Sequence, residues 1–120
     1  MAKANLQLIY VSDIEYSTVL YTNLLDEPLV QAPRYVAFKS DNEGKCLFAL
    51  WSGAEPNKEA VRSSEIGIML DSDHEVDESF DAYKDLPGIS VLKKPYTDVF
   101  GRTYLLRDPD GHLIRVCSRD

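Results

Sequence analysis

The chain is poor in what several protein classes require. It carries two cysteines and two histidines in 120 residues, too few for a disulfide scaffold or a Cys/His zinc module. Cys46 and Cys117 stand far apart and are read as buried, reduced thiols. Basic residues are also short: 13 Lys and Arg against 20 Asp and Glu give a formal charge of −7. That excess repels phosphate and argues against nucleic acid or an anionic membrane as partner. No apolar run nears the roughly 20 residues of a membrane span, and residues 1–5 lead into a strand without a signal-peptide core. A cytoplasmic protein is the expectation. A Gly-x-Ser-x-Gly elbow, a phosphate loop and a dinucleotide fingerprint are absent as well.

Two features imitate metal sites. The acidic run Asp71, Asp73, Glu75, Asp77 looks like a calcium loop, but Val76 stands where the turn glycine belongs and Ala82 where the bidentate Glu should be. Carboxylates in the first turn of a helix are favoured by its dipole, and that is the reading adopted. His74 falls in that same turn. His112 follows a turn glycine and is read as satisfying a local hydrogen bond.

What the chain does have is a repeat. Asp108-Pro109-Asp110-Gly111, followed by the run 112–117, has a faint twin in Asp41-Asn42-Glu43-Gly44, followed by the run 46–51, with the glycines 111 − 44 = 67 residues apart. Each copy pairs a tight-turn signal with strand-like runs, which reads as a hairpin. Strands are predicted at 6–11, 29–32, 34–39 and 46–51 around a helix at 14–25 capped by Ser12-Asp13. A polar stretch at 52–63 reads as a connector. The plan then returns, with strands at 64–70, 89–93, 102–107 and 112–117 and a helix from the Asp71-Ser72-Asp73 cap to about residue 85. The expected fold is α+β: two βαβββ modules, 5–51 and 64–118, forming a curved mixed sheet around a cavity within a single domain, 1–120.

The turn Asp108 to Gly111, the cap Ser12-Asp13-Ile14-Glu15-Tyr16-Ser17 after a first strand, and the closing strand together resemble the vicinal-oxygen-chelate superfamily. It includes glyoxalase I, extradiol dioxygenases and the bleomycin-resistance proteins, and the resemblance covers nearly the whole chain. In its enzymes a divalent metal is held by one inward residue on each of four strands, usually His or Glu. Those positions fall here at Leu6, near Phe48, at Glu65 or Ile66, and at Arg115. One carboxylate beside an arginine is not a ligand set for a catalytic divalent ion, which needs about three protein ligands, so no cofactor is expected.

Five blocks, beginning at Leu6-Gln7-Leu8-Ile9-Tyr10, Pro33-Arg34-Tyr35, Leu47-Phe48-Ala49-Leu50-Trp51, Ser64-Glu65-Ile66-Gly67 and Pro95-Tyr96-Thr97-Asp98, are similar to the phenazine-resistance members of that superfamily. This resemblance implies a non-catalytic homodimer that takes a planar tricyclic antibiotic into hydrophobic pockets at the subunit interface. From the residues themselves, Tyr35, Phe48, Trp51, Phe100 and Tyr104, with Tyr10, are candidate walls for a flat aromatic ligand, because rigid rings stack well. Trp51 is the leading platform, since it ends its strand just before Ser52-Gly53. Phe100, in the turn at 98–102, is placed as a lid at the pocket mouth. Arg115 is either paired with Glu65, aimed at a ligand carboxylate or carbonyl, or turned to solvent by a shift of one in register. The rival readings are a metal-dependent lyase or dioxygenase of the same superfamily, a metal-free enzyme using Glu65, Tyr10 or Tyr104, and a subunit that binds a protein partner.

Overall fold

The structure, a computed structural model, describes residues 1–99 and 101–119. The chain divides into two compact units, Met1–Pro56 and Asn57–Asp120, and the division falls inside the predicted connector. Each unit contains one βαβββ module.

In the first unit, strand β1 (Leu6–Tyr10) leads into helix α1 (Ile14–Leu24). Asp13 caps the helix by accepting the Tyr16 backbone N–H at 3.0 Å, which satisfies one of the donors a helix N-terminus leaves unpaired. Strands β2 (Val30–Gln31), β3 (Tyr35–Lys39) and β4 (Leu47–Trp51) follow, and the sheet order is β1-β4-β3-β2, with β1 parallel to β4 and the other pairs antiparallel. β2 is shorter than the predicted run of 29–32, although the flanking Leu29 and Ala32 N–H groups still bond to Ala37 and Tyr35 carbonyls. Alternation sorts the sheet into two faces. Ile9, Val36, Phe38, Phe48 and Leu50 are buried, and the Phe48 ring lies 5.3 Å from Tyr21 of α1. This is the helix-side core, completed by Leu20 and Leu24.

The second unit repeats the order with β5 (Glu65–Leu70), α2 (Asp73–Tyr83), β6 (Ser90–Asp98), β7 (Gly101–Arg107) and β8 (Leu113–Ser118), its sheet ordered β5-β8-β7-β6. Ser72 is the N-cap and accepts from Glu75 N–H at 3.1 Å, while the Glu75 carboxylate reaches back to the Asp71 N–H at 3.0 Å, a reciprocal arrangement close to a capping box. The helix-side core here is Val76, Tyr104, Leu106, Ile114 and Val116. β6 runs five residues past its predicted end at 93, because two bulges, between Val91 and Lys93 and between Lys93 and Tyr96, absorb the irregularity around Pro95. As an edge strand β6 tolerates a residue that cannot donate to the ladder.

The repeated turns are built alike. Asp41 Oδ1 accepts the N–H groups of Lys45 and Cys46 at 3.0 and 3.2 Å, and Asp108 Oδ1 those of Asp110 and His112 at 2.9 and 2.8 Å. Gly44 and Gly111 both have positive φ, 73° and 89°. The loops differ in length, however. The last ladder bond of the first hairpin joins Ser40 N–H to Cys46 O and that of the second joins Asp108 N–H to His112 O, so five residues are spanned in one and three in the other. The last strands therefore correspond at 112 − 46 = 66, not at the 67 of the glycines.

The two glycines are expected to respond differently to Ala. A Cβ at Gly111 would stand 2.6 Å from the Lys58 carbonyl oxygen, whereas at Gly44 the nearest atom is the flexible Lys39 side chain at 3.5 Å. Gly44→Ala should cost only the left-handed backbone term, about 1–2 kcal/mol, and Gly111→Ala clearly more, as read by urea denaturation of both variants.

Candidate functional site

Each sheet turns one face to its helix, and the helix leaves the other face uncovered. On the free face of the first unit, β1 contributes Leu6, Leu8 and Tyr10, which are 52, 37 and 47% exposed. Tyr10 is in register with Trp51 of β4, and Trp51 with Tyr35 of β3, so three aromatic side chains share one rung across three strands. The next rung pairs Ala49 with Ala37, and on β3 and β4 nothing bulky stands beside the Trp51 and Tyr35 rings. Gly53 gives Trp51 its position: a Cβ there would overlap the indole at Cζ2 and Cε2. The glycine is needed for close approach, not for an unusual φ.

On the free face of the second unit lies a polar cluster. Arg115 donates from Nε to Glu65 Oε1 at 2.7 Å and from Nη2 to Oε2 at 3.0 Å, a bidentate pair, and from Nη1 to Thr103 Oγ1 at 3.2 Å. The side chains are 13 and 34% exposed. The hydrogen bond from Arg115 holds the Glu65 carboxyl below its ordinary range against the opposing effect of burial. Conversely, the bond to Glu65 raises the guanidinium's already high value, with Tyr96 adding to it. The open question over Arg115 closes in favour of pairing. Glu65, not Ile66, shares its face, as the parallel register Glu65↔Leu113 requires. Beside the cluster, the Lys93 ammonium sits 4.3 Å from the centroid of the Tyr96 ring.

Of the predicted site residues, Tyr35 and Trp51 come together on the first unit and Glu65 and Arg115 on the second. Phe48 and Tyr104 sit elsewhere. Phe48 points at α1, because one more residue separates Gly44 from Cys46 than Gly111 from His112, so a count from the glycines is off by one and Ala49 takes the position equivalent to Arg115. Tyr104 packs against Phe80 of α2 at 5.1 Å and shares a 2.7 Å hydrogen bond with the Ser79 hydroxyl. Burial pushes its phenol up to about 12, so it titrates too high to serve as a base near neutrality. Phe100 lies outside the described residues; the adjoining turn is present, with Gly101 at φ 75°. Lys93, Tyr96 and Thr103 were missed: only Tyr96 lay beyond the strand read as ending at 93, while Lys93 and Thr103 lay within predicted strands and were not singled out. A groove of about 250 Å³ between α1 and β2, lined by Thr18, Val19, Thr22, Asn23, Glu27, Pro28 and Gln31, has no aromatic wall and shares no residue with either cluster.

The family model of the Glyoxalase/Bleomycin resistance protein/Dioxygenase superfamily matches residues 4–116. The chain belongs to this superfamily. A relative from Enterobacter agglomerans, the phenazine antibiotic resistance protein EhpR, is 53% identical over 120 residues, covering 97% of this chain and 92% of its own. Among solved structures, a protein from Agrobacterium tumefaciens determined by solution NMR matches with a TM-score of 0.80 at 29% identity, covering 100% of this chain and 99% of its own. A glyoxalase-related enzyme from Fulvimarina pelagi matches at 0.79 and 16% identity, over 99 and 89% of the two chains, a likeness of fold.

The metal-holding positions of the superfamily's enzymes fall, by the observed register, at Leu6 and Ala49 in the first unit and at Glu65 and Arg115 in the second. These side chains do not fit a divalent cation: two are hydrocarbon, one is cationic, and the single carboxylate is already held bidentate. Among the described residues no group of three or more His, Cys, Asp or Glu is placed to hold a metal.

Two outcomes are expected. Because the folded-state pKa of Glu65 is depressed, its pair stabilises the fold above the ordinary carboxyl pKa and loses that contribution as pH falls through the lowered value. Glu65→Gln should cost about 1 kcal/mol at pH 7, given the partial exposure, and the gap from wild type should close as pH drops below about 4 in thermal denaturation followed across pH. Gly53→Ala should displace the only tryptophan, seen as a shifted emission maximum with little change in far-UV circular dichroism.

Proposed function

We propose that this chain is a resistance protein that binds a planar aromatic, phenazine-type compound and releases it chemically unchanged. The observation that carries the reading is the Tyr10–Trp51–Tyr35 rung, three rigid rings on a face that its helix does not cover. Offset stacking on such rings contributes about 0.5–1.5 kcal/mol per pair beyond the area buried. The compound class comes from the resistance relative, which is 53% identical to this chain. A binder without chemistry fits the remaining residues: the positions that hold the catalytic cation in enzymes of the superfamily carry Leu6, Ala49 and a closed Glu65–Arg115 pair. The protein acts as a cytoplasmic homodimer, and no helix among the described residues is long and apolar enough to cross a membrane.

Sequestration is stoichiometric, so the dissociation constant must lie at roughly micromolar or below to hold free drug down. Titrating phenazine-1-carboxylic acid against the emission of Trp51 tests this directly. Saturable quenching is expected, with Trp51→Ala weakening binding at least about tenfold, equivalent to about 1.4 kcal/mol, by calorimetry, and with the compound recovered at unaltered mass. A modified product, or turnover restored by Zn²⁺, Ni²⁺, Mn²⁺ or Fe²⁺, would instead establish an enzyme.

A further inference from the structure

The connector at 52–63 is anchored at both ends. On the side of the first unit, Ser52 N–H donates to the Arg34 carbonyl at 3.0 Å and Gly53 packs against the Trp51 indole. On the side of the second unit a single guanidinium gathers three carbonyls. Arg62 Nη1 donates to Asn57 O at 2.9 Å and to Ala60 O at 3.3 Å, and Nη2 donates to Asp110 O at 2.6 Å, in the turn between β7 and β8. The first two bonds tighten a local turn, in which Ala60 N–H also meets Asn57 O at 3.3 Å and Glu59 N–H meets Asn57 Oδ1 at 3.1 Å. The third fixes that turn to the hairpin. Gly111 lets the two backbones meet, since a Cβ there would stand 2.6 Å from Lys58 O, and the Lys58 ammonium lies 4.0 Å from the Asp110 carboxylate. Between the two anchors, Ala54, Glu55 and Pro56 make no hydrogen bond or ion pair among the described residues.

We infer that Arg62 is a releasable clasp: closed, it makes 57–62 part of the second unit and confines the hinge of the chain to 54–56; open, it frees the whole connector and yields Lys58 to proteases. Hydrogen bonds from a guanidinium are charge-assisted, and each is stronger than a neutral pair. Against them stands a cost, because the Arg62 Nε–H is buried without a hydrogen-bond partner among the described residues, and an orphaned donor offsets about as much as one such bond contributes. The net hold is therefore modest, as in segments that open locally while the fold persists. The hinge left by the closed clasp is short and stiff. Pro56 has a fixed φ, and Glu55 before it is driven to extended backbone. Three residues reach at most about 10 Å, whereas the ten at 54–63 reach about 35 Å, so one side chain sets the length of chain that can move. Exposed polar loops are also where chains are nicked, and cleavage there follows the population of the open form.

The test is amide hydrogen exchange on the full chain, read residue by residue by NMR, together with the initial rate of tryptic cleavage after Lys58 followed by mass spectrometry. In wild type the Glu59 and Ala60 amides should exchange at least about tenfold more slowly than the Ala54 and Glu55 amides, after correction for intrinsic rates. Arg62→Met keeps an apolar stem and removes every donor. It should speed exchange at Glu59 and Ala60, and cleavage after Lys58, by at least about tenfold, while Leu106 and Ile114 in the β7–β8 core keep their wild-type protection. Arg62→Lys, whose single ammonium cannot span three carbonyls, should fall between the two. Equal protection on the two sides of Pro56 in wild type would overturn the clasp, and that comparison decides the matter even where Arg62→Met fails to fold. The inference falls equally if Arg62→Met leaves exchange and cleavage unchanged, or if it loosens Leu106 and Ile114 as much as Ala60, since Arg62 would then support the unit as a whole.

Discussion

The register of the last strand in each module rests on a carboxylate that ties its turn. Asp41 and Asp108 each gather two backbone N–H groups with one oxygen, and so fix where the return strand begins. In a pleated sheet a slip of one residue exchanges the faces. These turns therefore decide that Leu50 and Val116 are buried and that Trp51 and Arg115 stand on the free faces. Asp108 ends its ladder and Asp41 stands one residue into its loop, yet each ties the N–H that leads into the return strand, and the sheets that follow are alike although the spacing is not.

Much of this was legible in the residues. The caps at Asp13 and Ser72, the helices they start and the two β-rich returns follow from local chemistry that tertiary contacts did not override. The Glu65–Arg115 pair was legible as one of three possibilities, because a half-buried guanidinium needs a partner. Two of the misplacements share a physical source, the counting of residues through irregular backbone. The extra residue Lys45 between Gly44 and its strand made a count from the glycines place Phe48 on the free face, whereas it packs against α1. The β6 bulges hid Tyr96 and Lys93, since a period-two count through Pro95 assigns them to opposite faces. Tyr104 misled for a simpler reason: an aromatic residue in a strand reads alike for either face, and only the Phe80 and Ser79 contacts distinguish them.

The two free faces carry different chemistry. One is apolar and aromatic, with Leu6, Leu8 and Tyr10 exposed beside Trp51 and Tyr35. The other holds its charges in a closed pair with one ammonium left over. A catalytic divalent ion needs several anionic or imidazole donors converging on a point, and among the described residues no such group is placed together.

The duplicated turns also differ in what surrounds them. Gly44 faces a lysine stem that can swing away, whereas Gly111 is pressed against the main chain at Lys58, which Arg62 in turn fastens by donating to the Asp110 carbonyl at 2.6 Å. Once one copy of a repeat is stitched to the segment that joins the copies, the twins no longer share a fate under mutation. The loop at 41–45 has room to change its length, whereas any change at 108–111 must also move the segment at Lys58 and Arg62.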